Sequence, residues 1–170
     1  MHLRHSLQVG ALAVAIVTAP LRAHAAWTIA GSFGQGLEAS PRSGAARATS
    51  LMVAPGYGVG EALRVELGLA GTVDAAKRGL FDFEVRPMLV VAPPGFPIYG
   101  RFVAAAVSLL HGPSAVGLGA ALGVDTGPWS GVHFFFEGGV LPRRGVGPAG
   151  KQRLEWVAEG QAGIVYPLSL

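Results

Sequence analysis

The sequence contains no cysteine and no long uninterrupted run of apolar residues. Without cysteine the chain forms no disulfide, offers no thiolate nucleophile and has no cysteine ligand for zinc. Since no stretch of 18 or more apolar residues is present, a transmembrane helix is not expected. Charged residues are scarce at 14%, whereas 51% of the chain is hydrophobic, and this balance excludes intrinsic disorder. An apolar chain without a spanning helix favours many short strands.

Residues 1–25 have the three parts of a secretory signal peptide. Arg4 lies in a short positive region, residues 9–19 form an apolar core too short to span a bilayer, and an Ala-His-Ala cleavage site ends at Ala25. We predict cleavage after Ala25, which leaves residues 26–170 as a single domain; an uncleaved anchor is the alternative. Two of the 13 basic residues lie in this segment, so the remaining chain nearly balances its 10 acidic residues. Its charge therefore does not indicate nucleic-acid binding.

The rest of the chain alternates with a period of two, which is typical of strands with two different faces. Between residues 63 and 73, leucine and valine alternate with charged or small residues. Each such segment is about long enough for a tilted strand to cross a bilayer. The longest connections are expected at Gly36–Ala46 and Pro142–Gln152. We predict eight strands, at residues 26–36, 47–59, 61–74, 80–92, 97–110, 114–125, 130–141 and 153–168.

Two features favour an aliphatic face turned toward lipid and a small or polar face turned inward. The second face is mostly glycine and alanine with a few charges, which suits the narrow interior of an eight-stranded barrel. Aromatic residues fall near the segment ends, as the interfacial girdles of a membrane barrel require. One girdle would hold Trp27, Tyr57, Tyr99, Trp129 and Tyr166, and the other Phe33, Phe81, Phe83 and Trp156.

The charged residues of the inward face would form an ion network that fills the lumen, because buried charges need partners. Counting along the predicted strands places Glu137 and Glu159 at similar heights on neighbouring strands. A leak for protons or small ions is the alternative interpretation of this set. Its members are Arg64, Glu66, Asp82, Glu84, Arg86, Arg101, His133, Glu137, Glu155 and Glu159.

Most other basic residues lie in or beside three connections, each of which follows an odd-numbered strand and so would emerge on the same, outer side. There they could contact phosphates of anionic lipid or lipopolysaccharide; simple solvated loop charge is the alternative. This set comprises Arg42, Arg47, Lys77, Arg78, Arg143, Arg144, Lys151 and Arg153.

The mature chain resembles the small eight-stranded outer-membrane barrels of the OmpA/OmpX-like class. Its last segment also resembles their signal for the barrel-assembly machinery, polar-x-Gly-x-x-hydrophobic-x-hydrophobic, in Gln161, Gly163, Tyr166 and Leu168. Pro167 and the two residues after Leu168 depart from it. The resemblance implies an antiparallel up-and-down transmembrane barrel in the bacterial outer membrane. It also implies an N-terminus in the periplasm and closure of the first strand on the last.

No chemical motif outweighs this structural interpretation, and we expect a structural or surface-interaction barrel, a monomer by default, without a cofactor. A lipid-A-modifying enzyme is one alternative, for which His111 and Ser114 are the nearest nucleophilic pair. A soluble lipocalin-like carrier, with the aliphatic face lining its cavity, is another. A metal site is not predicted, since His111 and His133 lack ligand spacing.

Overall fold

The computed structural model describes residues 26–40, 44–74, 80–107, 115–146 and 152–168. Within these ranges all regular structure is β-strand, and no helix there is long and apolar enough to cross a membrane. The predicted signal peptide lies outside the described residues. The strands are β1 Trp27–Ser40, β2 Gly44–Val59, β3 Leu63–Asp74, β4 Leu80–Val91, β5 Ile98–Val107, β6 Ala115–Trp129, β7 Val132–Val146 and β8 Gln152–Leu168.

The eight strands form one closed barrel in which every strand pairs antiparallel with its sequence neighbours. The barrel closes where β1 pairs with β8, from Trp27↔Leu168 to Ala39↔Trp156. Closure leaves no sheet edge, so no row of unpaired backbone groups faces outward. The predicted fold class, an all-β eight-stranded antiparallel up-and-down barrel, is confirmed. We call the end that carries Trp27 and Leu168 the termini end, and the opposite end the far end.

Several strands run further toward the far end than the sequence predicts. The connection expected at Gly36–Ala46 is mostly strand, because the β1–β2 register continues to Ser40↔Gly44. The connection expected at Pro142–Gln152 shrinks in the same way, since β7 and β8 pair as far as Val146↔Gln152. Residues with weak strand propensity extend these hairpins because the ladder of the preceding pairs holds them in register.

The β6–β7 hairpin also differs from the prediction, which ended β6 at residue 125. The strand continues to Trp129 through an irregularity in register between Asp125 and Pro128. A two-residue turn follows, with φ of 53° at Ser130 and 82° at Gly131. Positive φ at both central residues is the signature of a type I′ turn, whose twist matches that of the flanking strands.

The two faces of the wall follow the predicted alternation. On β3 the odd-numbered positions from Val65 to Val73 are mostly exposed, and the even-numbered positions from Glu66 to Thr72 are buried in the lumen. The segment at 97–110 has apolar residues on both faces, yet Arg101 on β5 points into the lumen as predicted, with 1% of its surface exposed. The mid-lumen is packed by a hydrophobic cluster that includes Met52, Ala70, Met88, Val90 and Phe135.

Candidate functional site: a lumen crossed by two ion clusters

The outer surface of the barrel is apolar and widely exposed. Leu118 on β6 is 74% exposed, and Leu122 and Leu51 project from the wall in the same way. A soluble barrel would turn such residues inward, because a contiguous apolar surface of this extent is not stable against water. The soluble carrier interpretation required an aliphatic cavity. The described lumen instead buries charged side chains such as Glu66, Glu84 and Arg101 among the hydrophobic and small residues that pack it.

The first of two ion clusters lies in the half of the lumen nearer the termini end; we call it the Arg101 cluster. Arg101 Nη1 donates to Glu137 Oε1 at 2.6 Å, and Nη2 lies 3.3 Å from Glu66 Oε2. Arg64 Nε donates to the other oxygen of Glu66 at 2.5 Å. The Tyr99 hydroxyl donates to Glu137 Oε2 at 2.8 Å. In this cluster two arginines neutralise two glutamates, and the four side chains come from three strands, β3, β5 and β7.

Aromatic rings enclose the central guanidinium of this cluster. The Cζ atom of Arg101 lies 5.7 Å from the centroid of the Tyr99 ring and 5.4 Å from that of Phe135, within the range of cation–π attraction. Space for the Tyr99 ring depends on Gly123 of β6, where a Cβ atom would overlap the ring. The small residues of the lumen face thus make room for long side chains that reach across from other strands.

The second cluster lies nearer the far end; we call it the Glu84 cluster. Glu84 Oε2 accepts from Arg86 Nε at 2.9 Å, and both oxygens of Glu84 accept from Arg143 Nη2 at 3.0 and 3.1 Å. Arg86 Nη1 also donates to Glu159 Oε2 at 2.8 Å. Because β4 and β8 stand on opposite sides of an eight-stranded barrel, the Arg86–Glu159 pair crosses the whole lumen.

Hydroxyl groups complete the hydrogen bonding of the Glu84 cluster. Thr72 Oγ1 donates to Glu84 Oε1 at 3.4 Å, and Ser50 Oγ donates to Glu159 Oε1. A carboxylate buried with several donors is far less costly than an unpaired one. Ser50 and Thr72 are buried on the lumen face, the same face that carries the charged residues.

Each cluster balances two arginines against two glutamates, and nearly all of these side chains are withdrawn from solvent. Glu84 and Arg101 each retain only 1% of their exposure, and Glu66 retains 2%. The two clusters lie at different heights along the barrel, since on β3 Glu66 pairs with Met88, whereas Glu84 pairs with Ala70, four residues further toward the far end. Two clusters, each with no net charge, therefore cross the lumen.

Three further residues of the predicted network also lie on the lumen side. Asp82 accepts from the backbone N–H of Phe83 at 2.8 Å. His133 Nδ1 lies 3.1 Å from both carboxylate oxygens of Asp125, near the termini end. Glu155 is half-buried on β8, where it pairs in register with Arg143 of β7.

Two solved structures share this architecture. The crystal structure of Neisserial surface protein A (NspA) matches with a TM-score of 0.57 at 15% identity, over 82% of this chain and 96% of that chain. The outer membrane protein AlkL, determined by solid-state NMR in lipid bilayers, matches with a TM-score of 0.51 at 11% identity, over 90% of this chain and 96% of that one. No protein-family model and no curated protein sequence matches the chain.

The fold is that of the small outer-membrane β-barrels. Sequence identities this low establish the fold alone. The resemblance to small eight-stranded outer-membrane barrels, expected from the sequence, is thereby confirmed for the described residues.

One predicted member of the aromatic girdles is misplaced. Tyr99 was assigned to the girdle at the termini end, but its side chain is 5% exposed and faces the lumen. Tyr99 and Arg101 are two residues apart on β5 and therefore lie on the same face of the strand. This spacing was the signal in the sequence that could have placed Tyr99 in the lumen. Trp27 and Tyr57 do lie outward at this end of the barrel, with their ring centroids 5.1 Å apart. Trp129 and Tyr166 are exposed there as well.

The predicted set of basic loop residues needs one correction. Arg143 lies within β7, 6% exposed, and its guanidinium binds Glu84 inside the barrel. The prediction failed because it ended β7 at residue 141, whereas the strand and its alternation continue. Arg144, the next residue, is exposed on the outer face. Arg42, Lys77, Arg78 and Lys151 lie outside the described residues, as do the side chains of Arg47 and Arg153.

The residues of the predicted assembly signal all lie on β8, the closing strand. Gln161 faces the lumen and accepts from Ser32 Oγ at 2.9 Å. Tyr166 and Leu168 are exposed on the outer face, at the pairing with β1. Gly163 faces the lumen beside the Phe135 ring.

The described residues hold no group of three or more His, Asp or Glu side chains arranged to bind a metal ion. The His111–Ser114 pair, on which the enzyme alternative depended, lies outside the described residues. That alternative stays a prediction.

Proposed function

We propose that this protein resides in the bacterial outer membrane as a sealed barrel that acts through its structure and its outer surface rather than as an open pore. The observation that carries the proposal is the pair of charge-balanced clusters that cross the lumen. In the same proposal residues 1–25 are removed on export, and N-terminal sequencing of the membrane protein should begin at Ala26. The far end of the barrel, where basic residues concentrate in the sequence, is the outer side.

The sealing role rests on the cost of separating buried ion pairs. Opening a path would require two separations: Arg101 would have to leave Glu66 and Glu137, and Arg86 and Arg143 would have to leave Glu84. Each separation leaves unpaired charges in a confined space. Removing one partner of such a pair typically costs about 3–5 kcal/mol. Because the clusters lie in series, both must open before ions pass.

Conductance in planar lipid bilayers tests this proposal, with variants that preserve charge balance. E84A/R86A removes one acid and one base from the Glu84 cluster, and R101A/E137A does the same in the Arg101 cluster. We expect the wild-type protein and each double variant to show no steady conductance, because one intact cluster suffices to block the lumen. The combined four-residue variant should conduct.

The matched control is the heat-dependent gel mobility of each variant, which verifies that the barrel has folded. Steady conductance of the wild-type protein would contradict the sealed barrel. A folded four-residue variant that stays silent would also contradict the role assigned to the clusters.

A small-ion leak is the second candidate, favoured by one observation. A cavity lies against both Glu137 and Glu159, and so borders one carboxylate from each cluster. Transient rearrangement around this cavity could carry single ions. If the wild-type protein conducts, E137Q should change the conductance or its ion selectivity; an unchanged conductance would exclude Glu137 from the path.

The outer surface is proposed to contact anionic lipid phosphates or lipopolysaccharide, with the barrel-assembly machinery acting only during insertion. Arg144 lies outward on β7, and its cross-strand neighbours Val116 and Leu154 are exposed apolar residues. A cation at the border of the apolar outer surface is placed where lipid phosphate groups lie in a membrane. Salt-sensitive lipopolysaccharide binding that weakens in R144Q would support this contact, and salt-insensitive binding unaffected by R144Q would contradict it.

A further inference from the structure

A small cavity inside the lumen borders both ion clusters. Its lining includes Glu137 of the Arg101 cluster, together with Glu159 and Arg86 of the Glu84 cluster. Gln161, two residues beyond Glu159 on β8, lines it as well. The rest of the lining consists of small and aliphatic residues, among them Ala121. The cavity is therefore the place where polar groups of the two clusters come to one shared space.

The size of this cavity limits what it can hold. The centres of water-sized molecules have about 30 Å³ of free space in it, and one water molecule needs at least about 10–15 Å³ measured in the same way. Pockets for organic ligands are much larger, about 300–1,000 Å³. The cavity therefore has room for one or two water molecules and not for an organic ligand.

Glu137 has capacity for a further hydrogen bond toward the cavity. Its Oε1 accepts from Arg101 at 2.6 Å, and its Oε2 accepts from the Tyr99 hydroxyl at 2.8 Å. An ionised carboxylate can accept about four hydrogen bonds, so these two contacts do not saturate it. A water molecule in the cavity can donate to Glu137 without displacing either partner.

Glu159 has the same spare capacity. Its Oε2 accepts from Arg86 Nη1 at 2.8 Å, and its Oε1 accepts from the Ser50 hydroxyl. Gln161 accepts from Ser32 through its amide oxygen, and its amide nitrogen carries two donor hydrogens. One water molecule can therefore donate to both carboxylates while it accepts from an N–H of Gln161 or Arg86.

The groups beside the cavity favour water over an ion or an empty void. A cation would compete with Arg86 for Glu159, and an anion would face the carboxylates of both Glu137 and Glu159. A small ion without its water shell is costly to bury, whereas water brings no charge. Cavities that stay empty are apolar, and buried water typically makes about two to four hydrogen bonds with polar neighbours. The lining offers partners in that number.

We propose that this cavity is a hydration site in which one or two water molecules bridge Glu137 to Glu159 and thereby join the two ion clusters into one hydrogen-bonded network. The inference rests on the closed lumen of the proposed function, because in an open channel this water would exchange freely and bridge nothing. The network runs from the Tyr99 hydroxyl to the Ser50 hydroxyl, and so links β5, β7, β8 and β2. A change of charge at one carboxylate therefore affects the other.

Water-edited solid-state NMR of the protein in phosphatidylcholine bilayers tests for the bound water. At short mixing times, magnetisation from water protons reaches only groups in contact with water. We expect the side-chain amide of Gln161 to receive it, whereas Ala70, which is 0% exposed in the packed part of the lumen, should not. If Gln161 stays as dark as Ala70, the cavity is dry and the inference is refuted.

A variant that fills the cavity locates this water. A121V adds two methyl groups at the lining and should abolish the transfer to Gln161. A158V is the matched control, because Ala158 lies on the outer face between Val140 and Leu37, and it should leave the transfer unchanged. Heat-dependent gel mobility verifies that both variants fold. Undiminished transfer to Gln161 in folded A121V would mean that the water lies elsewhere, which also refutes the site.

A double-mutant cycle tests the bridge itself. E137Q, E159Q and the double variant are compared by the midpoint of urea unfolding, in the natural background and with A121V. We expect the shift of the double variant to differ from the sum of the single shifts in the natural background, and to match that sum once A121V has displaced the water. Equal coupling in both backgrounds would mean that the carboxylates interact without water, and the bridge would be refuted.

Conductance distinguishes this inference from the proposed function. Steady conductance of the wild-type protein would overturn the closed lumen, and the water bridge with it. A silent wild-type barrel with a dry Gln161 would overturn the water bridge alone.

Discussion

Replacement of Arg101 by methionine tests the energetic role of the ion clusters. Arg101 binds Glu137 at 2.6 Å and Glu66 at 3.3 Å, and only 1% of its surface is exposed. Because the site is buried, water does not take the place of the lost guanidinium beside these carboxylates. Glu66 retains Arg64 at 2.5 Å, whereas Glu137 retains only the Tyr99 hydroxyl among these contacts. The penalty therefore falls mainly on Glu137.

The expected loss for R101M is about 3–5 kcal/mol of unfolding free energy, the usual cost of removing one partner from a buried ion pair. R101M/E137Q restores charge balance, because Arg64 and Glu66 remain paired. We expect the double variant to recover most of the loss, since neutral replacement of a whole buried pair is often close to neutral in stability. R144M, at an exposed position on β7, is the matched control and should change stability by less than about 0.5 kcal/mol.

Equilibrium urea unfolding in lipid vesicles measures these differences. The tryptophans on the outer face report the transfer from lipid to water, and gel mobility without boiling reports the closed barrel. A loss below about 1 kcal/mol for R101M would refute the account, because it would mean that Glu137 is already hydrated. A double variant as unstable as R101M would refute the assignment of the penalty to Glu137.

Three more predictions concern the wall and the Glu84 cluster. L67R, on the outer face near the middle of β3, should lower the stability in lipid by about 2–4 kcal/mol, and unfolding as stable as wild type would mean that the faces are reversed. G123A should cost about 1–3 kcal/mol by urea unfolding, because its Cβ overlaps the Tyr99 ring; an unchanged midpoint would show that the ring has room to move. R86E should severely reduce the yield of folded barrel on gels, and R86E/E159R should restore part of it, since these two side chains face each other across the lumen. No recovery in the double variant would contradict that pairing.

The sequence was sufficient to predict the strands and their faces because alternation is a local property. On β3 and β6 each odd or even position has one environment over the whole strand, so Leu67 and Glu66 could be assigned without knowledge of their neighbours. Arg101 was assigned correctly on a strand with weak alternation, because a charge on a lipid-facing wall is too costly.

The partners inside the lumen could not be predicted, since they depend on register and on distances across the barrel. Arg143 was placed in a loop because its strand was ended too early, and Tyr99 was placed in a girdle because aromatics near strand ends usually lie at interfaces. The division of the charges into two clusters follows from shear and stagger, which no local pattern encodes.

The central claim is that this chain forms a closed β-barrel in the outer membrane with its aliphatic face toward lipid. Membrane fractionation followed by gel electrophoresis of unboiled and boiled samples tests it most directly. The account predicts a band in the outer-membrane fraction whose mobility shifts on heating, because a closed barrel resists the detergent until it is boiled. A protein recovered in the soluble periplasmic fraction, with the same mobility before and after boiling, would contradict it.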